Sequence, residues 1–216
     1  MRTGMAVLSL MTVTTSLFGQ RSALREVHDR GSWGLHFIAA EPVGEFRRTA
    51  DLAAGVDFFV VSGAGFLGLR VEGGWMAYDV SNFDYDWSTI SQIGTLAIGP
   101  QIKIGGDGPA RVYGFLTGGG SLFWSNVSRT NDCGCDDGKF LDGDFTLTGS
   151  MGAGVQLMLS RKVGVDIGFR GIRHDMVEYV PAGGLSQNPD GSFAGTRVRT
   201  PVSLRAIQVG VSIGIR

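Results

Sequence analysis

From Trp33 to the end of the chain, apolar side chains recur at every second position in segments separated by turn-forming stretches. Successive side chains on a strand point to opposite faces, so this period predicts half-buried β-strands. Trp33, Leu35, Phe37 and Ala39 alternate in the first segment, and Leu52, Ala54, Val56, Phe58 and Val60 in the second. Leu67, Leu69, Val71, Gly73 and Trp75 mark the third, and Leu96, Ile98, Pro100, Ile102 and Ile104 the fourth. The fifth, Arg111 to Trp124, has apolar residues on both parities. Phe145, Leu147, Met151, Ala153, Val155, Leu157 and Leu159 define the sixth. Val163, Val165, Ile167 and Phe169 define the seventh, and Ile207, Val209, Val211, Ile213 and Ile215 the last. The pattern predicts eight strands, most of about ten residues or more.

Strand length and face chemistry say where such strands live. A tilted strand crosses a bilayer in about 9–11 residues, whereas soluble strands usually run to five or six. The face opposite the apolar columns carries Gly, Ser, Thr and Gln, together with Asp57, Arg70, Glu72, Lys103, Arg111, Asp166 and Arg170. A soluble protein would fill its wet face with Lys and Glu. An Arg or Lys turned to lipid near the midplane costs about 2–4 kcal/mol. The apolar columns are therefore expected outward, and the seven ionic residues inward as a network.

Connections add independent support. Val61–Gly65, Gly105–Pro109 and Arg161-Lys162 are short, while Glu41–Thr49, Asp79–Ser91, Ser125–Asp144 and Gly171–Thr200 are long. The alternation predicts an all-β fold: a closed eight-stranded antiparallel up-and-down transmembrane β-barrel, with short periplasmic turns and longer extracellular loops. Closure is required because no water inside a bilayer satisfies an open sheet edge. Trp33, Phe66, Trp75, Tyr78, Tyr113, Trp124 and Phe145 fall near strand ends, as interfacial girdles would. Pro100 lacks a ladder donor and predicts a bulge or a shift in strand limits.

The amino terminus fits an export address. Arg2 precedes an apolar run from Gly4 to Phe18, too short to span as a helix, so residues 1–20 read as a signal peptide, with Gly19, Gln20 or Ala23 before the cut. Residues 21–31 are then a periplasmic extension and 32–216 the barrel, in the outer membrane. Glycine reaches 35 of 216 residues without a three-residue period, which excludes collagen and suits a crowded interior. A net charge of −1 argues against nucleic acid, and two cysteines cannot build a disulfide scaffold.

The signal, the eight alternating segments and stretches such as RVYGFLTGGGSLFW, VGVDIGFRG and IQVGVSIGIR resemble small OmpA-like or OmpX-like outer-membrane barrels, the group that includes opacity-type surface proteins. The resemblance covers about residues 32–216. It implies insertion by the barrel-assembly machinery and contact with outer-membrane lipid and lipopolysaccharide. The chain departs from the family habit of an aromatic last residue by closing on Ile215-Arg216, and no peptidoglycan-binding domain is expected after the barrel.

Candidate chemistry lies in three places. In TNDCGCDDGKFLDGD, Asp132, Asp136, Asp137, Asp142 and Asp144 could hold Ca²⁺, while Cys133 and Cys135 could close a small disulfide or meet a soft metal. A solvated loop with that local disulfide is the simplest reading of the segment. DVSNFDYDW sets Phe83, Tyr85 and Trp87 on one face, either as a strand pair projecting above the membrane or as an aromatic adhesion surface. Arg173, His174, Arg197 and Arg199 could meet lipopolysaccharide phosphates at the outer rim, or be ordinary solvated charges. No base and orienting partner accompany His28, His36 or His174, and Gly118-Gly119-Gly120 is no phosphate loop, so neither an enzyme nor a bound cofactor is expected. The function expected is a structural or surface-interaction barrel whose side chains fill its lumen. Its alternatives are a narrow porin-like channel and a soluble exported lipocalin-like barrel, for which Gly31-Ser32-Trp33 would be the G-x-W.

Overall fold

The computed structural model describes residues 31–63, 65–83, 87–105, 109–129, 139–160, 162–181, 184–188 and 193–215. The strands are β1 (Gly31–Val43), β2 (Ala53–Ser62), β3 (Leu67–Phe83), β4 (Trp87–Ile104), β5 (Ala110–Arg129), β6 (Lys139–Met158), β7 (Val163–Tyr179), β8 (Leu185–Gln187), β9 (Phe193–Gly195) and β10 (Val198–Gly214). Eight of them close a barrel in the order β1-β10-β7-β6-β5-β4-β3-β2, and β8 and β9 pair separately within the β7–β10 connection. Every barrel pairing is antiparallel, and β1 meets β10 along twelve residue pairs from Ser32↔Gly214 to Val43↔Ser203. Among the described residues the only helical turn is a 3-10 helix at Phe46–Arg48. Of the signal peptide expected over 1–20 and the extension over 21–31, residues 1–30 lie outside the described residues and Gly31 opens β1.

The aliphatic columns face outward. Phe37 and Leu96 are 68% exposed and Phe169 and Leu147 67%, within a belt that also holds Leu35, Ile98, Met151 and Ile207. An exterior this apolar is stable only in hydrocarbon. The lipocalin-like alternative, which needs these columns to converge on a cavity, is overturned. Mixed parity in the fifth segment resolves the same way: Val112, Leu116 and Leu122 face lipid, while Tyr113, Phe115 and Phe123 are buried inside. The triple glycine lies within β5, where a Cβ on Gly119 would come within 2.0 Å of the Leu96 carbonyl oxygen. Close approach of the neighbouring strand β4, not phosphate binding, explains that glycine.

Three long connections proved to be mostly strand. β3 and β4 pair out to Phe83↔Trp87, β5 reaches Arg129, β6 starts at Lys139, and β7 runs to Tyr179. At 17 to 20 residues, β3 to β7 are far longer than a bilayer needs. Bulges hid this in the sequence, because one extra residue reverses which parity faces in. Register shifts occur between Tyr78 and Val80, between Ser125 and Asn126, and between Pro201 and Ser203. Pro100 does not behave as expected, since its register with both neighbours is unbroken. The ladder to β5 only lapses at Gly99 and Pro100, between Ile98↔Gly118 and Gln101↔Phe115. Tyr78 and Tyr113 also depart from expectation, because both are buried in the lumen and not in a girdle.

Below, the turn end is the rim bearing the short connections and both barrel termini, and the loop end is the opposite rim.

Candidate functional site

The inward parity of β2 and β3 places Asp57, Arg70 and Glu72 on one wall of the lumen, with Arg170 of β7 on the wall facing them. All four are buried, Arg70 to 1% exposure. Arg70 Nε donates to Glu72 Oε2 at 2.6 Å, and its Nη1 to Gln101 Oε1 at 3.2 Å. Its Nη2 lies 3.5 Å from Asp57 Oδ2. Arg170 crosses the lumen, with Nη1 3.6 Å from Asp57 Oδ1 and Nη2 against Glu72 Oε2. The other Glu72 oxygen accepts from Thr117 at 2.8 Å and from Ser150 at 3.2 Å. Glu72 therefore meets groups from β3, β5, β6 and β7, and the assembly forms a septum from wall to wall.

Aromatic rings flank the guanidinium groups. The Arg70 Cζ sits 4.3 Å from the Phe59 ring centroid and 4.4 Å from that of Phe115. Cation–π attraction grows when the pair is desolvated, as here. His36 stacks on Phe59 at 4.6 Å and bridges two carboxylates, with Nδ1 3.5 Å from Asp57 Oδ2 and Nε2 3.2 Å from Asp166 Oδ1. Tyr113 donates to Asp166 at 2.5 Å and accepts from Gln208 at 3.0 Å. Asp166 thus joins the septum through His36. Arg111 is buried and registered against Gln156, while Lys103 is half-buried near the turn end, below the septum. Sequence reasoning missed His36, Phe59, Gln101, Tyr113 and Phe115. Their signal was present, since Phe59 shares the parity of Asp57, and Phe115 that of Arg111.

A second closure lies toward the loop end and is apolar. The β1–β2 connection turns at Gly44 (φ +70°) and folds inward as the 3-10 helix, which buries Phe46 completely. Phe46 packs edge-on against Tyr78 and Tyr179, both at 5.4 Å. Thr49 and Tyr179 join through their hydroxyls, and Thr200 donates to Glu45 at 3.1 Å. Beneath lie Ile38, Met76, Ile93, Phe123, Ile172, Val202 and Leu204, one continuous cluster with Phe46. A cavity of about 20 Å³ separates plug from septum, bounded by Asp57, Glu72 and Arg170 on one side and Ile38, Met76 and Ile172 on the other. That is room for about one water.

The remaining candidates scatter. His174 is not on the rim: it is fully buried in the plug, edge-on to Phe123 at 5.0 Å, with no hydrogen-bond partner for either nitrogen among the described residues. Arg173 and Arg199 are exposed, and Arg197 pairs with Glu178 at 3.3 Å. Asp132, Cys133, Cys135, Asp136 and Asp137 lie outside the described residues. Asp142 and Asp144 belong to β6 and not to a loop, and Asp144 accepts the Glu178 N–H at 2.8 Å. Among the described residues no group of three acidic, His or Cys side chains could hold a metal.

No family model and no curated protein matches the sequence. Solved structures do match in fold. A major outer membrane protein from Thermus thermophilus aligns with a TM-score of 0.57 at 14% identity, over 86% of this chain and 99% of that one. The fold is that of an outer-membrane β-barrel. Two further matches are OprG from Pseudomonas aeruginosa (TM-score 0.49, 10% identity, 90% of this chain and 100% of that one) and the attachment invasion locus protein Ail of Yersinia pestis (0.47, 13%, 88% and 99%). The likeness to these solved structures is one of fold.

Proposed function

We propose that the protein is a resident barrel of the outer membrane with a structural or surface-interaction role, presenting strand-stiffened loops outward around a sealed lumen. One observation carries this reading: the lumen is closed twice, by the Arg70–Glu72–Arg170–Asp57 septum and by the Phe46 plug. An eight-stranded interior is just wide enough for its own side chains to fill. A hydrated ion therefore meets a polar barrier and then an apolar one. The hydroxyls that meet a carboxylate, Thr117 and Ser150 on Glu72, are buried inside this closed lumen, so the reading is not enzymatic. Assembly by the barrel-insertion machinery belongs to the same proposal.

The test is reconstitution of the full chain. Heat-modifiable migration on a detergent gel should report a closed barrel, and planar bilayers should show no discrete conductance steps. Reproducible steps from the heat-modifiable species would replace this reading with the narrow channel.

A further inference from the structure

Every exposed arginine among the described residues lies at the loop end, on the wall formed by β7, β10, β1 and the β1–β2 connection: Arg47, Arg48, Arg173, Arg197, Arg199 and Arg205. Carboxylates nearby are already engaged. Glu41 holds Arg47 at 3.4 Å, Glu178 holds Arg197 at 3.3 Å, Glu45 accepts from Thr200, and Asp175 accepts the Met176 N–H at 2.8 Å. Arg48, Arg173, Arg199 and Arg205 form no ion pair among the described residues.

Two of these flank a notch. Arg205 is registered directly against Gly171 on β7, and Arg173 stands two residues along the same strand, registered against Ser203. Positions two apart share a face, so both arginines project outward with the glycine between them. A Cβ built on Gly171 meets nothing within 4 Å, which leaves the space between the two side chains open. Immediately toward the turn end, Phe169 and Ile207 are registered with each other and exposed in the lipid belt. The notch thus sits where hydrocarbon gives way to headgroups, a depth at which an outward arginine costs only about 0–1 kcal/mol.

We propose that Arg173 and Arg205 grip a phosphate of an outer-leaflet glycolipid seated over Gly171, its acyl chains lying along Phe169 and Ile207. Planar guanidinium groups take phosphate oxygens in pairs, which a compact ammonium does not. The apolar belt directly beneath favours a lipid phosphate over a free one. The proposal rests on the barrel facing outward with its loop end, so the test must separate the two.

The full chain in dodecyl maltoside is first run on a gel, and only the heat-modifiable species is used. Loss of that species in the wild type would fail the barrel reading, not this one. Bound bis-phosphorylated lipid A is then counted by native mass spectrometry. Arg173→Gln/Arg205→Gln should keep the heat-modifiable shift and weaken lipid A binding about tenfold or more. Dephosphorylated lipid A should bind the wild type as weakly as lipid A binds the double variant. Lys162→Gln, an exposed cation at the turn end, should leave binding unchanged. Equal binding by wild type and double variant overturns the proposal, as does an equal loss in Lys162→Gln. Displacement of lipid A by millimolar inorganic phosphate would assign the notch to free phosphate and overturn the lipid.

Discussion

The lumen is stoppered twice, and the stoppers are opposites. The septum is built from charges that satisfy one another: Arg70 touches Glu72, Gln101, Asp57 and two aromatic rings. The plug is built from hydrocarbon and rings, and its one fully buried imidazole, His174, has no hydrogen-bond partner among the described residues. Removing a group should therefore act differently in the two. In the septum each partner neutralises a desolvated charge, so its loss leaves another charge stranded. In the plug the loss is of contact area and of filled volume.

The largest effect is expected at Glu72. Glu72→Gln keeps the shape but leaves Arg70 and Arg170 facing each other around a neutral amide, with Asp57 the remaining anion of the cluster. Stability should fall by about 3–5 kcal/mol, the usual cost of breaking a buried ion pair on one side. Urea unfolding of the barrel in lipid vesicles reads this directly, and a loss under about 1 kcal/mol would show that water reaches the septum.

Phe46→Ala should cost less, about 3 kcal/mol, because the cavity opens beside the loop-end solvent and can fill. Conductance separates the two closures more sharply than stability does. With the plug lost and the septum intact, bilayers should stay silent. Channel activity in Phe46→Ala alone would make the plug, and not the septum, the barrier to ions.

The two stoppers also differ in how far the chain announced them. Alternation puts Asp57, Arg70, Glu72 and Arg170 on the face opposite Phe58, Val71 and Phe169, so the sign and side of the septum residues can be read directly. Which carboxylate meets which guanidinium cannot be, since that depends on the stagger by which β7 faces β2 and β3. The plug left almost no trace. Phe46 lies in an aperiodic connection, and in β7 the shift near Pro201 moves the inward parity from Ile172 and His174 to Val177 and Tyr179. A reading by strict period two ends where the bulge begins, which is why Gly171–Thr200 looked like a loop and His174 like a rim residue. Pro100 misled for the opposite reason. A missing donor predicts a bulge or a shift in strand limits, whereas an outward-facing proline loses one ladder bond and keeps its place.

His174→Leu gives the comparison its change of sign. An imidazole buried without a partner carries a desolvation cost that leucine of similar bulk does not. The variant should be more stable by about 1 kcal/mol in the same urea titration, where a polar-to-apolar change in the septum would destabilise. A loss of stability would reveal a partner for the ring, an enclosed water being the simplest, and would make the plug a polar device after all.

The smallest effect is expected in the wall at the height of the septum. Gly99 is registered with Arg70, and the lapse in the β4–β5 ladder falls at Gly99 and Pro100. Near this gap β4 is tied to the lumen by Gln101, which accepts from Arg70 at 3.2 Å. Pro100→Val supplies a backbone donor to β5 and a β-branched side chain to the lipid face, which should add about 0.5–1 kcal/mol, reduced by the greater freedom of the unfolded chain. If the side-chain tie substitutes for the missing ladder bond, Gln101→Ala should cost less with Val at position 100 than with proline. Additive losses in that double-mutant cycle would mean that wall and septum hold β4 independently.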